Sequence, residues 1–213
     1  MRRSGQAFGI GIAAVVAGLS GCAKIRYPSY YVLTLPAPVV STDRKPILGS
    51  VAVRQFTAPG YLREGPIVYR QSPDELGFYQ YDRWAVDPRR AVTNAMIQSL
   101  EARGIAQSVD LYDGSLTRAC LLTGGIDRLE EVDEGRVVWI EVAVSAQLTS
   151  LRTGEVLWQG SSSKRVKLDQ RSIPGVVAGL SLEMGDAVGD LVSSMSQRVS
   201  AASSARISET GGR

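Results

Sequence analysis

Residues 137–150 read VVWIEVAVSAQLTS, and this stretch decides the fold class. Apolar side chains take every second position, with polar or small ones between them: Val138, Ile140, Val142, Val144 and Ala146 against Glu141, Ser145 and Gln147. Such alternation is typical of a β-strand with one buried face. A turn follows at residues 152–155, where Gly154 supplies a positive φ, and the chain returns through residues 155–166. With Cys120–Leu129 ahead of it, the stretch predicts an antiparallel three-stranded meander.

Two amphipathic segments predict helices that cover this meander. Asp87 and Pro88 open the first helix as cap and first helical residue, and Gly104 closes it. The second runs over Val176–Val199, with apolar residues at steps of three and four. Further strands are expected at residues 30–35, 47–56, 66–70 and 77–81. The sequence therefore predicts a single α+β domain, a mixed sheet with an antiparallel meander packed against two helices.

The composition excludes several classes of catalytic and metal-binding site. The 213 residues include no histidine, which excludes His-dependent triads and His metal ligands. The two cysteines, Cys22 and Cys120, form no CxxC motif, and there is no Gly-rich phosphate loop or G-x-S-x-G motif. We therefore expect no enzyme, no catalytic residue, no metal site and no cofactor.

The N-terminus reads as an export signal. Two arginines precede an apolar run, Ala7–Leu19, that is shorter than the ~20 residues of a membrane-spanning helix. Leu19-Ser20-Gly21-Cys22 closely matches the lipobox of bacterial lipoproteins. We predict that residues 1–21 are a signal peptide and that Cys22 is lipidated and holds the chain on a membrane. The alternative is an ordinary secretory signal with an incidental cysteine.

The position after the cysteine bears on the compartment. Ala23 stands where Asp is associated with inner-membrane retention, so it favours the outer membrane, facing the periplasm. Cleavage removes two arginines and no acidic residue, which lowers the net charge from +3 to +1. A near-neutral domain offers no electrostatic footprint for nucleic acid. The predicted organisation is a signal peptide (1–21), a lipidated tether with a first strand (22–46), the α+β domain (47–199) and a disordered tail (200–213).

Carboxylates gather in two regions, and paired carboxylates could serve acid–base chemistry or bind a divalent cation. Asp74, Asp82 and Asp87 surround the start of the first helix, where we expect a helix cap. The second region adjoins a turn expected at residues 133–135, and we interpret it as a solvated hairpin: Glu130, Glu131, Asp133 and Glu134. Cys120 follows Ala119 in an apolar run, which favours a buried small side chain over a nucleophile.

Tyrosine and arginine residues concentrate between residues 61 and 84. Both residue types are enriched at protein interfaces, because they combine large contact area with polar groups. The alternative is that about half of these aromatic residues fill the core under the first helix, and Trp84 fits that role. We predict a partner-binding set of six residues: Tyr61, Tyr69, Arg70, Tyr79, Tyr81 and Arg83.

The same stretch carries a family resemblance. Tyr61-Leu62-x-x-x-Pro66-Ile67-Val68-Tyr69-Arg70 resembles a signature of the ABC-type transport auxiliary lipoprotein family. The likeness continues through GFYQYDRWA at residues 77–85, and Tyr30-Tyr31-Val32-Leu33 is similar to the opening strand of the family. It covers roughly residues 22–200. The chain departs from the pattern at Asp82, where related proteins often have His, so a pH-sensing His is excluded here.

The resemblance implies an accessory subunit of MCE-type lipid transporters of the Mla or paraquat-inducible kind. In these systems an inner-membrane permease and ATPase are coupled to a periplasmic MCE-domain protein, which the lipid-anchored subunit would dock. The family has no established catalytic residues. Two alternatives stay open: a lipid-binding carrier lipoprotein with its own apolar cavity, and an envelope-assembly lipoprotein unrelated to transport. Self-association into a homo-oligomer also stays open.

Overall fold

The structure, a computed structural model, describes residues 26–40, 45–115 and 117–210, with the backbone alone for 205–210. The predicted signal peptide and the predicted lipidation site Cys22 lie outside these residues. Within the described ranges, no helix combines the length and the apolar character needed to cross a membrane.

Eight strands and two helices make up the fold, together with a short 3-10 helix at Gly60–Arg63. The strands are β1 (Ser29–Tyr31), β2 (Leu48–Val53), β3 (Pro66–Ser72), β4 (Glu75–Trp84), β5 (Ala106–Leu111), β6 (Cys120–Glu134), β7 (Val137–Ser150) and β8 (Val156–Leu168). The helices are α1 (Pro88–Ala102) and α2 (Ile173–Thr210).

The sheet is organised around β6. On one side β6 pairs antiparallel with β7 along its length, and β7 pairs antiparallel with β8. On the other side two parallel strands share β6: β2 pairs near its beginning and β3 near its end. Beyond them β5 flanks β2 in parallel, β4 flanks β3 antiparallel, and β1 pairs in parallel with β4. This mixed sheet with its β6–β7–β8 meander confirms the predicted fold class.

Both helices contact each other and pack on one face of the sheet. The alternation of residues 137–150 decides that face, because the even-numbered side chains of β7 from Ile140 to Leu148 are buried in the core. α1 contributes Val92, Met96 and Leu100. α2 contributes Leu180, Met184 and Leu191, among others. The odd-numbered side chains of β7 define the outer face of the sheet.

The ends of α1 agree with the prediction. The Asp87 carboxylate accepts a hydrogen bond from the Arg89 backbone N–H at 2.9 Å, and Pro88 is the first helical residue. Gly104 follows the helix with a φ of 59°, a conformation that favours glycine.

α2 differs from the prediction at its C-terminal end. The helical backbone continues past Val199 to Thr210, where the sequence predicted a disordered tail from residue 200. Ser200 and Ser204 donate their hydroxyls to carbonyls four residues back, at 2.8 and 3.1 Å. These bonds satisfy small polar side chains inside the helix, and the neighbouring alanines favour helix most strongly.

The segment after β1 leaves the sheet earlier than expected. A strand was predicted over residues 30–35, but β1 ends at Tyr31. Beyond it Leu33 is buried, and the Thr34 backbone N–H donates to the Ser181 hydroxyl of α2 at 3.2 Å. Pro36 lies against Gly185 of α2: a Cβ added to Gly185 would stand 2.5 Å from Cδ of Pro36. Contacts with α2 therefore replace pairing with β4.

Candidate docking site

The six residues predicted to bind a partner lie on β3, β4 and the 3-10 helix, and all six are half-buried. Tyr61 and Arg70 lie near Glu130 on one face of the sheet. Tyr69 and Tyr79 lie on the other face, with their ring centres 5.0 Å apart and the Tyr79 hydroxyl bonded to Glu131. The other two, Tyr81 and Arg83, lie farther along β4, next to β1. The predicted set is therefore divided among three places.

Arg70 is held by a buried carboxylate. Glu130 pairs with Glu141 across the β6–β7 ladder, on the outer face, and its side chain is 0% exposed. Arg70 donates through Nε to Glu130 Oε1 at 2.8 Å and through Nη2 to Oε2 at 3.2 Å. Both bonds join one guanidinium to one carboxylate, the geometry of a strong charge-assisted pair. The hydrogen bond to Glu130 raises the pKa of Arg70 against the effect of burial.

The interpretation of the second acidic region as a solvated hairpin is wrong for Glu130 and Glu131. The turn lies at Gly135, which has a φ of 64°, and β6 runs on to Glu134. Both glutamates therefore lie inside the strand, and both are fully buried. The physical reason is that β3 pairs with β6 beside these two residues. This pairing brings Arg70 next to the Glu130 carboxylate.

Beside this pair the outer face forms an open cleft of about 310 Å³. Arg128 and Arg165 both bind Glu141, at 2.6 and 3.1 Å, and Arg165 also binds Glu134 at 2.5 Å. The Arg165 guanidinium lies 4.7 Å from the centre of the Trp139 ring. We call this surface the outer cleft, defined by Arg70, Arg128, Glu134, Glu141 and Arg165. It presents both signs of charge in fixed positions.

On the opposite face of β6 a second polar group ties three elements together. The Tyr79 hydroxyl donates to Glu131 Oε2 at 2.7 Å. Arg171, in the loop before α2, lies 2.9 Å from Glu131 Oε1 and 2.7 Å from Asp133 Oδ2. It also donates to the Tyr79 hydroxyl at 3.3 Å. Tyr79, Glu131, Asp133 and Arg171 form the inner cluster, which joins β4 and β6 to the start of α2.

The buried groups of the inner cluster have perturbed pKa values. Burial, assisted by the hydrogen bond to Glu131, raises the pKa of Tyr79 to about 12. Burial also raises the pKa of Glu131, and the charge of Asp133 adds to this, while Tyr79 and Arg171 lower it without cancelling the effect. Burial lowers the pKa of Arg171, but its contacts with Tyr79, Glu131 and Asp133 outweigh this and raise the pKa overall.

The raised pKa of Glu131 predicts a pH dependence of stability. A carboxyl whose pKa is higher in the folded chain makes folding less favourable as pH rises from its ordinary value, 4.5, through the raised one. Glu131→Gln stays neutral, so we expect its free energy of unfolding to decline less than the parent's between pH 4.5 and 7. Denaturant unfolding of the full chain in detergent measures this. Glu155→Gln, at an exposed position, is the control. Parallel pH profiles for parent and Glu131→Gln would contradict the prediction.

Tyr81 and Arg83 connect β4 with its surroundings. The Arg26 guanidinium lies 4.8 Å from the centre of the Tyr81 ring, and Arg83 donates to the Glu64 carbonyl at 3.1 Å. Between them Asp82 is buried and accepts a hydrogen bond from the Tyr31 hydroxyl at 3.3 Å. Asp82 is therefore a hydrogen-bond acceptor that links β1 to β4.

Trp84 and Cys120 occupy the buried positions predicted for them. Trp84 is buried in the core, and Cys120 is a buried free cysteine whose thiol pKa is raised by burial. Among the residues that the structure describes, no three acidic or cysteine side chains are grouped so that they could hold a metal ion.

The sequence does not indicate the partners of these groups. Arg171 stands in a polar loop with no local feature to distinguish it, and Glu131 lies 40 residues before it. One feature of the sequence does indicate that Glu130 and Glu131 belong to a strand. The alternating pattern of β7 begins near residue 137, and its antiparallel partner must therefore extend to about residue 134.

A family model described as the ABC-type transport auxiliary lipoprotein component matches residues 31–203. The chain belongs to this family. The match spans β1 to the later turns of α2, so it includes the outer cleft and the inner cluster of this auxiliary lipoprotein.

Two solved structures share the fold of the auxiliary lipoprotein at low identity, and a third is more distantly similar. Protein XCC0632 from Xanthomonas campestris has a TM-score of 0.70 and 16% identity, over 83% of this chain and 99% of that one. A second, uncharacterized protein has a TM-score of 0.59 and 15% identity, over 78% and 97%. PelC from Paraburkholderia phytofirmans, whose structure is a dodecamer, has a TM-score of 0.47 and 17% identity, over 74% and 95%. No curated protein sequence matches the chain.

Proposed function

We propose that this auxiliary lipoprotein is held by lipid on Cys22 in the outer membrane, facing the periplasm, and serves an MCE-type ABC transporter. It acts by docking the periplasmic MCE-domain protein that the permease and ATPase complex supplies with lipids or apolar solutes. The observation that carries the proposal is membership of the transport auxiliary family across residues 31–203.

The packing of the interior supports docking over lipid carriage. A carrier needs an apolar cavity between the sheet and the helices, since a bound ligand must lose most of its contact with water. Core side chains fill that layer in the described part of the chain, and several of them are completely buried, among them Leu148, Leu180, Met184 and Val192. An acyl chain would have to displace them.

The outer cleft is the surface we assign to the partner. Its charged side chains lie on adjacent strands of a rigid sheet, and complementary charges on a partner would fix orientation and register. Arg165 over Trp139 and Arg70 near Tyr61 add the residue types that dominate binding energy at interfaces.

Affinity measurements on the full chain in detergent test the proposal. The partner is a purified MCE-domain protein from the same organism. We expect micromolar or tighter binding by the parent, and a roughly tenfold loss for Arg128→Glu/Arg165→Glu, because both side chains are accessible and carry the positive charge of the cleft. Arg152→Glu, at the exposed β7–β8 turn, is the matched control.

Two results would contradict the proposal in different ways. If the parent does not bind the MCE-domain protein at micromolar concentration, docking fails as the function. If the double variant binds as tightly as the parent, docking stands but the outer cleft is the wrong surface. Lipid that co-purifies with the protein in native mass spectrometry would favour the carrier alternative.

A further inference from the structure

Apolar side chains are exposed at the beginning of the described chain. Tyr27, Tyr30 and Val32 are 76%, 63% and 53% exposed within six residues. Val32 lines an open groove of about 480 Å³ together with Leu182 of α2, which is 51% exposed. We call Tyr27, Tyr30, Val32 and Leu182 the tether patch. Neighbouring exposed apolar side chains of this size mark a surface that something else covers.

The length of chain ahead of the patch identifies what covers it. Cys22 lies four residues before Arg26, and four residues span at most ~14 Å even when fully extended. Lipid on Cys22, which the proposed function requires, fixes that residue at the membrane surface. Arg26 must then lie within ~14 Å of the lipid headgroups, and Tyr27 follows it directly. The patch is therefore at the membrane-proximal end of the domain.

The chemistry of the patch fits a bilayer surface. Tyrosine places an apolar ring toward hydrocarbon and a hydroxyl toward water, which is why it is enriched at membrane interfaces. Val32 and Leu182 add aliphatic area along the groove, and Tyr30 lies two residues before Val32 in the chain. Arg26 is exposed next to them, and long basic side chains reach from such positions to phosphate headgroups.

We infer that the tether patch is a second membrane-contact site, which rests on the bilayer surface beside lipidated Cys22. The inference depends on the lipid anchor of the proposed function. Lipid on one residue does not by itself fix how a domain is oriented relative to the membrane. A second contact through both β1 and α2 fixes the orientation of the sheet relative to the membrane.

Site-specific labelling of the full lipidated chain tests this. The protein is reconstituted in phosphatidylethanolamine–phosphatidylglycerol vesicles, and a polarity-sensitive nitrobenzoxadiazole dye is attached at Val32→Cys or Leu182→Cys. The native cysteines do not interfere, because lipidation consumes the Cys22 thiol and Cys120 is buried. Ser161→Cys, exposed on the outer face of β8, is the matched control.

We expect the dye at positions 32 and 182 to emit at shorter wavelength and to lose about half its intensity to headgroup-proximal spin-labelled lipids, while the dye at 161 does neither. Equal behaviour at all three positions would overturn the inference. Mass spectrometry of the N-terminal peptide shows independently of the dye whether Cys22 carries lipid. Lipidation with no quenching at 32 and 182 defeats only the membrane-contact site, whereas an unlipidated Cys22 defeats both it and the proposed anchor.

Discussion

Replacing Arg70 with methionine will lower the free energy of unfolding by about 3–5 kcal/mol, because it leaves the Glu130 carboxylate buried without its counter-ion. The carboxylate is 0% exposed, and the guanidinium that binds both its oxygens is only 18% exposed. Water has little access to the site, so the lost contact cannot be replaced by hydration. Denaturant unfolding of the full chain in detergent, with parent and variant at one pH, measures the loss.

Three further variants separate the charge from the packing. Arg70→Met/Glu130→Met removes both ionic groups and should recover much of the loss, since replacing a buried pair by apolar side chains is often nearly neutral. Arg70→Lys should fall between parent and Arg70→Met, because an ammonium cannot form the two-armed bond. Arg128→Ala, an exposed ion pair on the same face, should cost less than ~1 kcal/mol. An Arg70→Met variant as stable as the parent would contradict the proposal that Arg70 compensates the buried charge of Glu130.

Phe56→Ala will cost about 3–5 kcal/mol for a different reason, the cavity that it leaves in the core. Phe56 is 1% exposed, and its ring lies against Gly124 of β6. Its backbone N–H also donates to the Thr93 hydroxyl of α1 at 3.0 Å, which keeps this segment close to the helix. Gly124 has no side chain that could move into the vacated space. Chemical or thermal unfolding reads the effect directly.

A double-mutant cycle with Gly124 makes this prediction sharper. In the parent an added Cβ at Gly124 would stand 2.5 Å from the Phe56 ring and 2.6 Å from the Ser145 carbonyl oxygen. Gly124→Ala should therefore cost less in the Phe56→Ala background, with only partial relief because the carbonyl remains. Phe78→Ala, at a 40% exposed site, is the control and should change stability by less than ~1 kcal/mol. Additive effects of the two core changes would contradict the proposed contact.

The features predicted correctly from the sequence are those decided by neighbours along the chain. The alternation in residues 137–150 identifies the buried face of β7, since side chains in a strand alternate whatever pairs with it. Asp87, Pro88 and Gly104 mark the ends of α1 because capping is a local matter. The β6–β7–β8 meander follows from two short turns, each with a glycine at positive φ.

The polar groups of the site depend on contacts between distant parts of the chain. Glu130 meets Arg70 across 60 residues of sequence, and only the parallel pairing of β3 with β6 brings them together. Nothing near Glu130 or Glu131 indicates that pairing, so acidic residues next to a turn were interpreted as solvated. The length of α2 differs from the prediction for another reason. Its apolar stripe ends at Val199, but serine and alanine residues continue the helix without any apolar stripe.

The short pairing of β1 has a mechanical consequence for an anchored domain. Force transmitted through the N-terminus meets the three residue pairs between β1 and β4 before it reaches the hydrogen bond of Thr34 to Ser181 of α2. Peeling β1 from the sheet edge would move the first attached residue from Ser29 to Thr34. The chain between Cys22 and that residue would lengthen from seven residues to twelve, or ~40 Å at full extension, while the core stays folded. The sheet edge would thus extend the domain away from the membrane under load, and the contact of Thr34 with α2 would be the next to break.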